Sequence, residues 1–307
     1  MDVSIIIVNY NTLKMTQECI DSVFEKTSGL DFEVILVDNG STDCSREHFS
    51  KDSRIRYIYS EKNLGFGRAN NIGYAQAKGK YLFLLNSDTY LLNNAIYEIW
   101  ATLEKANSGA HSNVACAGCM LTDEQGEIIH SYARFPSMWQ SIMRVSVHPI
   151  LWKLHLMKEP QYSSNYSYEE HSREKSFEVE YITGADLMVR KDVADRYGLF
   201  DSDFFMYCEE TEMQHRYLSK GFKSVIVNGP QIVHLEGKSN RGFSPARKTM
   251  VMRSSLLYFK KTSSSWKYQI FALAYKFSYI LISILTFPFI HGKSSEKLSH
   301  LWNIAML

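Results

Sequence analysis

At 307 residues, 45% of them hydrophobic and 22% charged, the chain has the size and balance of one large globular domain, or of one domain with an appendage. A net charge of +1 excludes a chain-wide electrostatic case for nucleic acid, and five cysteines, an odd number with no signal peptide ahead of them, point to a reducing, cytoplasmic compartment. The near-neutral total hides an asymmetry, because from Arg247 to Lys297 the basic residues face only Glu296.

In chain order, Val3 to Val8 is a β-branched run that reads as a buried strand, closed by Asn9-Tyr10-Asn11-Thr12. Thr12 stands where it can cap a helix whose apolar residues Met15, Cys19, Ile20, Val23 and Phe24 share one face. A second strand, Phe32 to Val37, runs into the turn Asp38-Asn39-Gly40-Ser41-Thr42-Asp43. Strand, helix, strand with a polar turn after each strand is the grammar of a parallel sheet. Tyr10 and Asp38 are then neighbours at the carboxyl edge, where open α/β sheets bind ligands. One can stack on a base and the other can accept from a base or ribose, although two ordinary turns would read the same. Arg54 to Tyr59 gives a third strand, and Asn63-Leu64-Gly65-Phe66-Gly67-Arg68-Ala69-Asn70-Asn71 follows it. These glycines come after the third strand rather than the first, and Asn70 stands where a dinucleotide fingerprint needs a small residue, so an NAD site is rejected. What remains is a glycine-containing loop feeding a helix, with Arg68 and amide side chains suited to ribose and phosphate.

Lys80 to Thr89 is an apolar run that stops at the acidic turn Asn86-Ser87-Asp88. A carboxylate at the end of a buried strand can hold a hard divalent cation that completes its shell with water and phosphate oxygens. Asp88 is the candidate; the plain alternative is that it caps a helix over Leu91 to Lys105 or simply makes the turn. Cys116-Ala117-Gly118-Cys119 lacks the second pair that a zinc site needs and reads as core packing in a strand.

Four motifs in this order, Val3 to Asn11, Val37 to Asp43, Asn63 to Phe66 and Leu85 to Thr89, resemble the family 2 glycosyltransferases with the GT-A fold, and within them the rhamnosyltransferase-like branch. The resemblance runs to about residue 245. It implies an α/β fold with a Rossmann-like, mostly parallel central sheet flanked by helices. A nucleotide-binding part would span about residues 1–120 and an acceptor part about 121–245, followed by a basic, apolar helical tail over 246–307. It also implies a nucleotide-diphosphate sugar donor, a Mg²⁺ or Mn²⁺ cofactor and inversion at the anomeric carbon. Carried over by position, Asn9, Tyr10, Asn11, Asp38, Asn63, Gly65, Phe66, Arg68, Asn71, Asn86 and Ser87 would bind the donor. Asp88 would hold the metal, Asn86 taking the first place of a triplet that is often acidic at both ends. The donor implied by the branch is dTDP-rhamnose, with UDP-linked galactofuranose, glucose or N-acetylglucosamine behind it. The product would be a bacterial surface polysaccharide.

His130 to Glu178 reads as a long loop with Pro136, Pro149 and Pro160, in which Trp139, Trp152 and Tyr162 to Tyr168 either stack on a sugar or bury the loop. Beyond it, the resemblance places acceptor contacts at Gly184 and Asp186 and the catalytic acidic pair at Glu209-Glu210. Glu210 would be the base that takes the acceptor's proton, with Glu209 the alternative because the family's second acid is usually aspartate. A helix head attracting acids through its dipole would look similar. His234 would join Asp88 at the metal, and Glu236, Lys238 and Ser239 would belong to a loop over the diphosphate. The tail, with Phe277 to Ile290 shorter than the roughly 20 residues a spanning helix needs, suits helices lying on the inner face of an anionic membrane beside a lipid-linked saccharide acceptor. Packing on the domain or a homodimer contact is the alternative. Two further readings are a non-catalytic nucleotide-sugar-binding scaffold and a nucleotidyltransferase.

Overall fold

The computed structural model describes residues 1–109, 113–153, 174–235 and 245–286. The chain divides into two compact units. The first comprises Met1–Arg134, Ser164–Phe205 and Glu209–Arg241, and the second Phe135–Ser163, Met206–Cys208 and Gly242–Leu307.

The first unit is built on a nine-stranded sheet in the order β3-β2-β1-β4-β10-β6-β11-β5, in which the edge strand β5 is Thr89–Leu91 and β8 (Ser176–Val179) pairs with β11. Its parallel part is β1 (Val3–Asn9), β2 (Phe32–Asp38), β3 (Arg56–Tyr59) and β4 (Tyr81–Asn86). β10 (Asp186–Arg190) runs antiparallel between β4 and β6 (Val114–Thr122), and β11 (Lys223–His234) runs parallel to β6. The continuous apolar runs follow from cover on both faces. Ile5 and Ile7 of β1 and Phe83 and Leu85 of β4 point into one core, with Cys19, Ile20 and Val23 of α1 (Leu13–Lys26). Ile6, Leu82 and Leu84 point into the other, with Met213 and Tyr217. Cys116 and Cys119 are buried free thiols of β6, which fits packing.

Three local expectations change. Asp88 precedes the short strand β5 (Thr89–Leu91), and the next helix, α4 (Ala95–Ala106), begins beyond Asn94, so Asp88 caps no helix. Thr12 does stand at the head of α1, but its hydroxyl is turned to Asn9, Thr16 and Ser87 instead of capping. The stretch expected as a loop contains β7 (Tyr132–Ala133), the helix α5 (Met138–Lys153) and β8 (Ser176–Val179). Pro149 inside α5 forfeits one backbone hydrogen bond, which is why the sequence argued against a helix there. Tyr162 to Tyr168 lie outside the described residues.

Candidate active site

The register brings Asn9, Asp38 and Asn86 to one edge, since Asn9 pairs with Asp38 and Val8 with Asn86 across the carboxyl ends of β1, β2 and β4. Asn9 is buried and spends its amide on the scaffold: its Oδ1 accepts from Thr12 N, Thr12 Oγ1 and Thr16 Oγ1, and its Nδ2 donates to Ser41 Oγ. Asp38 is also buried, accepting from Ser41 N at 3.0 Å and from Tyr57 Oη at 2.8 Å. Asn11, in the left-handed region at φ 57°, accepts from the Thr42 and Asp43 amides. Ser87 Oγ lies 3.1 Å from Thr12 Oγ1. Tyr10 alone of this turn presents a large exposed ring. These residues make a tightly bonded shelf, with Tyr10 as its free aromatic face.

The loop from Asn63 closes the shelf on its other side. Asn63 Oδ1 accepts from Gly65 N, and Asn39, which the sequence reading passed over, clasps the loop by donating to Asn63 Oδ1 and Gly65 O and accepting from Leu64 N. Gly65 has φ 87°, and a Cβ there would lie 2.0 Å from the Phe205 carbonyl oxygen, so only glycine fits. Phe66 donates its N–H to that same oxygen and begins α3 (Phe66–Tyr74). Arg68 Nε donates to Ser202 O, and Asn71 exchanges hydrogen bonds with the backbone of Phe200 in both directions. Arg68 and Asn71 therefore brace the 200–205 segment against α3.

Asp88 and His234 meet although they come from distant parts of the chain. His234 Nε2 lies 3.3 Å from Asp88 Oδ1 and 3.5 Å from Asn86 Nδ2, and the backbone link Leu235 N to Asp88 O, at 2.8 Å, fixes the end of β11 beside β5. A cation with ligand bonds of about 2.1 Å holds adjacent octahedral donors roughly 3 Å apart, so this oxygen and nitrogen fit two neighbouring positions of one shell. Among the described residues no group of three or more His, Cys, Asp or Glu is gathered for a metal. Glu236, Lys238 and Ser239 lie outside the described residues.

A second acidic centre stands at the head of α7 (Glu209–Leu218), the helix that follows α6 (Lys191–Tyr197). Glu209 is almost wholly buried and its Oε2 has no hydrogen-bond partner among the described residues. Burial pushes its pKa well above the carboxylate range, and the neighbouring charge of Glu210 pushes it further. Burial also raises Glu210, against the helix-head N–H groups and Thr211, which oppose the shift. Gly184 faces this centre, with the Phe66 ring and the Glu210 Cβ as its neighbours. Asp186 has no exposed surface: its Oδ2 accepts from Cys119 N at 2.6 Å, its Oδ1 has no hydrogen-bond partner among the described residues, and burial lifts it to about 7.

A family model described as glycosyl transferase family 2 matches residues 4–198. The chain belongs to that family. The matched span includes the shelf, the loop and Asp88, while Glu209, Glu210 and His234 lie beyond it. A glycosyltransferase of Streptococcus pneumoniae serotype 4, GlyG, is 32% identical over 110 residues, covering 34% of this chain and only 36% of that protein's length. An N-acetylglucosaminyl-diphospho-decaprenol L-rhamnosyltransferase of Mycobacterium tuberculosis is 25% identical over 247 residues, 76% of each chain. Among solved structures, the mannosyltransferase PcManGT of Pyrobaculum calidifontis, in complex with GDP-Man and Mn²⁺, superposes with a TM-score of 0.56 at 14% identity, over 99% of this chain and 80% of that one. The fold is the GT-A fold of such family 2 enzymes.

Two further side chains of this family 2 chain organise the acidic centre: Gln214, which was not singled out from sequence, and Arg216, whose i,i+4 spacing from Glu212 fits an ion pair. Gln214 is buried: its Oε1 accepts from Ile182 N and Ser224 Oγ, and its Nε2 donates to Ile182 O and Glu210 O. It ties β9 (Tyr181–Ile182), and so Gly184, to α7. Arg216 pairs with Glu212 at 2.9 Å and donates to the carbonyls of Tyr197, Gly198 and Leu199, anchoring the end of α6 on α7. A glutamine one turn after the acidic pair carries no pattern of its own, so only the fold reveals it.

Proposed function

We propose that this family 2 chain is an inverting, metal-assisted glycosyltransferase that moves L-rhamnose from dTDP-rhamnose to a lipid-linked saccharide acceptor in bacterial surface polysaccharide synthesis, at the inner face of the cytoplasmic membrane. The observation that carries the reading is the convergence of Asp88 and His234, which lie far apart in the chain, at the same sheet edge as the donor shelf. Family membership and the nucleotide-sugar complex of the solved mannosyltransferase support a nucleotide-diphosphate sugar as donor. The likeness to the mycobacterial L-rhamnosyltransferase supports rhamnose over the UDP-sugar alternatives.

In this mechanism Tyr10 stacks on the base, and the backbone of the 63–67 loop, held by Asn39, follows the ribose and phosphates. Asp88 and His234 would hold Mg²⁺ or Mn²⁺, which when bound neutralises the departing diphosphate. Glu210 accepts the proton of the acceptor hydroxyl as that oxygen bonds to the anomeric carbon. The bond from that carbon to the phosphate oxygen breaks, and its electron pair leaves with the nucleoside diphosphate. Attack opposite the leaving group inverts the centre. A carboxylate whose proton affinity is raised by burial is better matched to this transfer than one in water. Glu209 and Asp186 sit behind the reacting surface, where they set the field around Glu210 and the sheet edge.

Product analysis with a panel of sugar nucleotides and Mn²⁺ tests the reading. Release of free nucleoside diphosphate with transfer to a saccharide supports it, pyrophosphate points to a nucleotidyltransferase, and binding without turnover points to a scaffold. Thermal shift over the same panel identifies the donor, since a ligand that binds only the folded state raises its stability with occupancy.

A further inference from the structure

The second unit ends, among the described residues, in α8 (Pro245–Thr262) and α9 (Ser265–Thr286). α9 has an inner apolar face: Phe271 and Tyr275 are buried, with Phe271 4.5 Å from the Phe259 ring and 5.1 Å from that of Tyr275, centroid to centroid. It also has an outer one. Trp266, Ile270, Leu273, Phe277, Leu281 and Ile284 are between 42% and 75% exposed. They are spaced by four, three, four, four and three residues, which at 3.6 residues per turn puts all six on one straight stripe about 27 Å long. Lys276 falls on one border of the stripe and Lys267 on the other, with the Lys267 ammonium 5.6 Å from the Trp266 ring.

Six large apolar side chains in one exposed row need a cover, and the charge around them selects it. From Pro245 to Thr286 the sequence has seven Lys or Arg and no Asp or Glu. A second copy of the same helix would bring like charge against like charge, without the acidic partners that flank a coiled-coil seam. A bilayer with anionic headgroups offers both what the stripe lacks, apolar depth for the row and negative charge for its borders. Among the described residues no helix is long and apolar enough to cross a membrane, so the helix would lie in the plane.

We infer that the outer stripe of α9 is an interfacial membrane-binding face, which seats Trp266 to Ile284 among the acyl chains of an anionic leaflet while Lys267 and Lys276 reach up to the headgroups. This deepens the membrane placement of the proposed function and rests on it. It assigns that contact to one face of one helix, and it leaves Phe271 and Tyr275 to the protein's interior.

The test is co-sedimentation of the full chain with vesicles of phosphatidylcholine containing about 30% phosphatidylglycerol, against pure phosphatidylcholine. The variant carries Leu273→Glu and Phe277→Glu, both on the exposed row and therefore compatible with folding. Donor thermal shift in the variant verifies that it is folded. The expected result is binding that requires phosphatidylglycerol, weakens with salt and falls at least about tenfold in the variant, with an unchanged donor shift. Equal vesicle binding by the variant overturns the inference. So does a soluble dimer that the variant splits and that ignores lipid. Vesicle binding by the wild type without any nucleoside diphosphate release would sink the catalytic reading and leave the surface standing.

Discussion

The two acidic centres of the first unit are built in opposite ways. Asp88 stands at the end of β4 with an imidazole 3.3 Å away and an amide beside it, partly open to solvent. Glu209 is buried at the head of a helix, with one carboxylate oxygen that has no hydrogen-bond partner among the described residues and a second carboxylate next in sequence. The first arrangement presents lone pairs outward from a fixed edge, which suits a cation. The second raises proton affinity by removing water, which suits a group that must take a proton near neutral pH. Sequence alone offers a carboxylate in both places, and it is burial and partners that distinguish them.

The largest effect should come from the proton side. Glu210→Gln should lower turnover by about 10²–10⁴ while the donor still binds. In the wild type the base acts only when deprotonated, so turnover should rise with pH through the raised pKa of the acidic pair, and Glu210→Gln should remove that limb. A dead Glu209→Gln beside an active Glu210→Gln would reverse the assignment within the pair.

On the cation side, Asp88→Ala and His234→Ala should each abolish the Mn²⁺ dependence of donor binding with little change in melting temperature. Unaltered Mn²⁺ dependence in His234→Ala would take the histidine out of the site.

Asp186 sharpens the contrast, because the effect of its burial outweighs both the Cys119 N–H and the opposing charge of His234. Its carboxyl is lifted from an ordinary 3.8 to about 7, so the folded state holds its proton longer than the unfolded state does. Stability should therefore fall as pH rises from about 4 to about 7, by roughly a few kcal/mol at most, and level off above. Asp186→Asn should flatten that slope in urea melts recorded across the window. A slope unchanged by the substitution would show that other groups set it.

The smallest effect expected is on the scaffold. Gln214→Ala leaves Ile182 and Ser224 groups unsatisfied beneath the acidic pair and should cost about 1–3 kcal/mol. If Gln214 positions Gly184 and Glu210, the loss of kcat should exceed any change in the affinity for donor.

Much of this fold was legible because β1, β2 and β4 are continuous apolar runs ending in polar turns, and such runs have few other ways to be buried. The meeting of Asp88 with His234 was legible only through the resemblance, since no local pattern links residues so far apart. Pro149 concealed α5, because a residue that usually breaks helices is tolerated in this one. The roles of Asn39 and Gln214 were hidden for a different reason. An amide that clasps two loops has no periodicity and no preferred neighbour, and its function exists only once strands from different parts of the chain lie side by side. Asn9 and Asp38 show the converse, residues singled out as ligand contacts whose polar atoms are bound within the shelf.

The division of labour is tested most directly by titrating Mn²⁺ against sugar-nucleotide binding in Asp88→Asn and Glu210→Gln side by side. The account predicts that Asp88→Asn loses the Mn²⁺ dependence and that Glu210→Gln titrates like the wild type. Loss of Mn²⁺ dependence in Glu210→Gln, or its survival in Asp88→Asn, would contradict it.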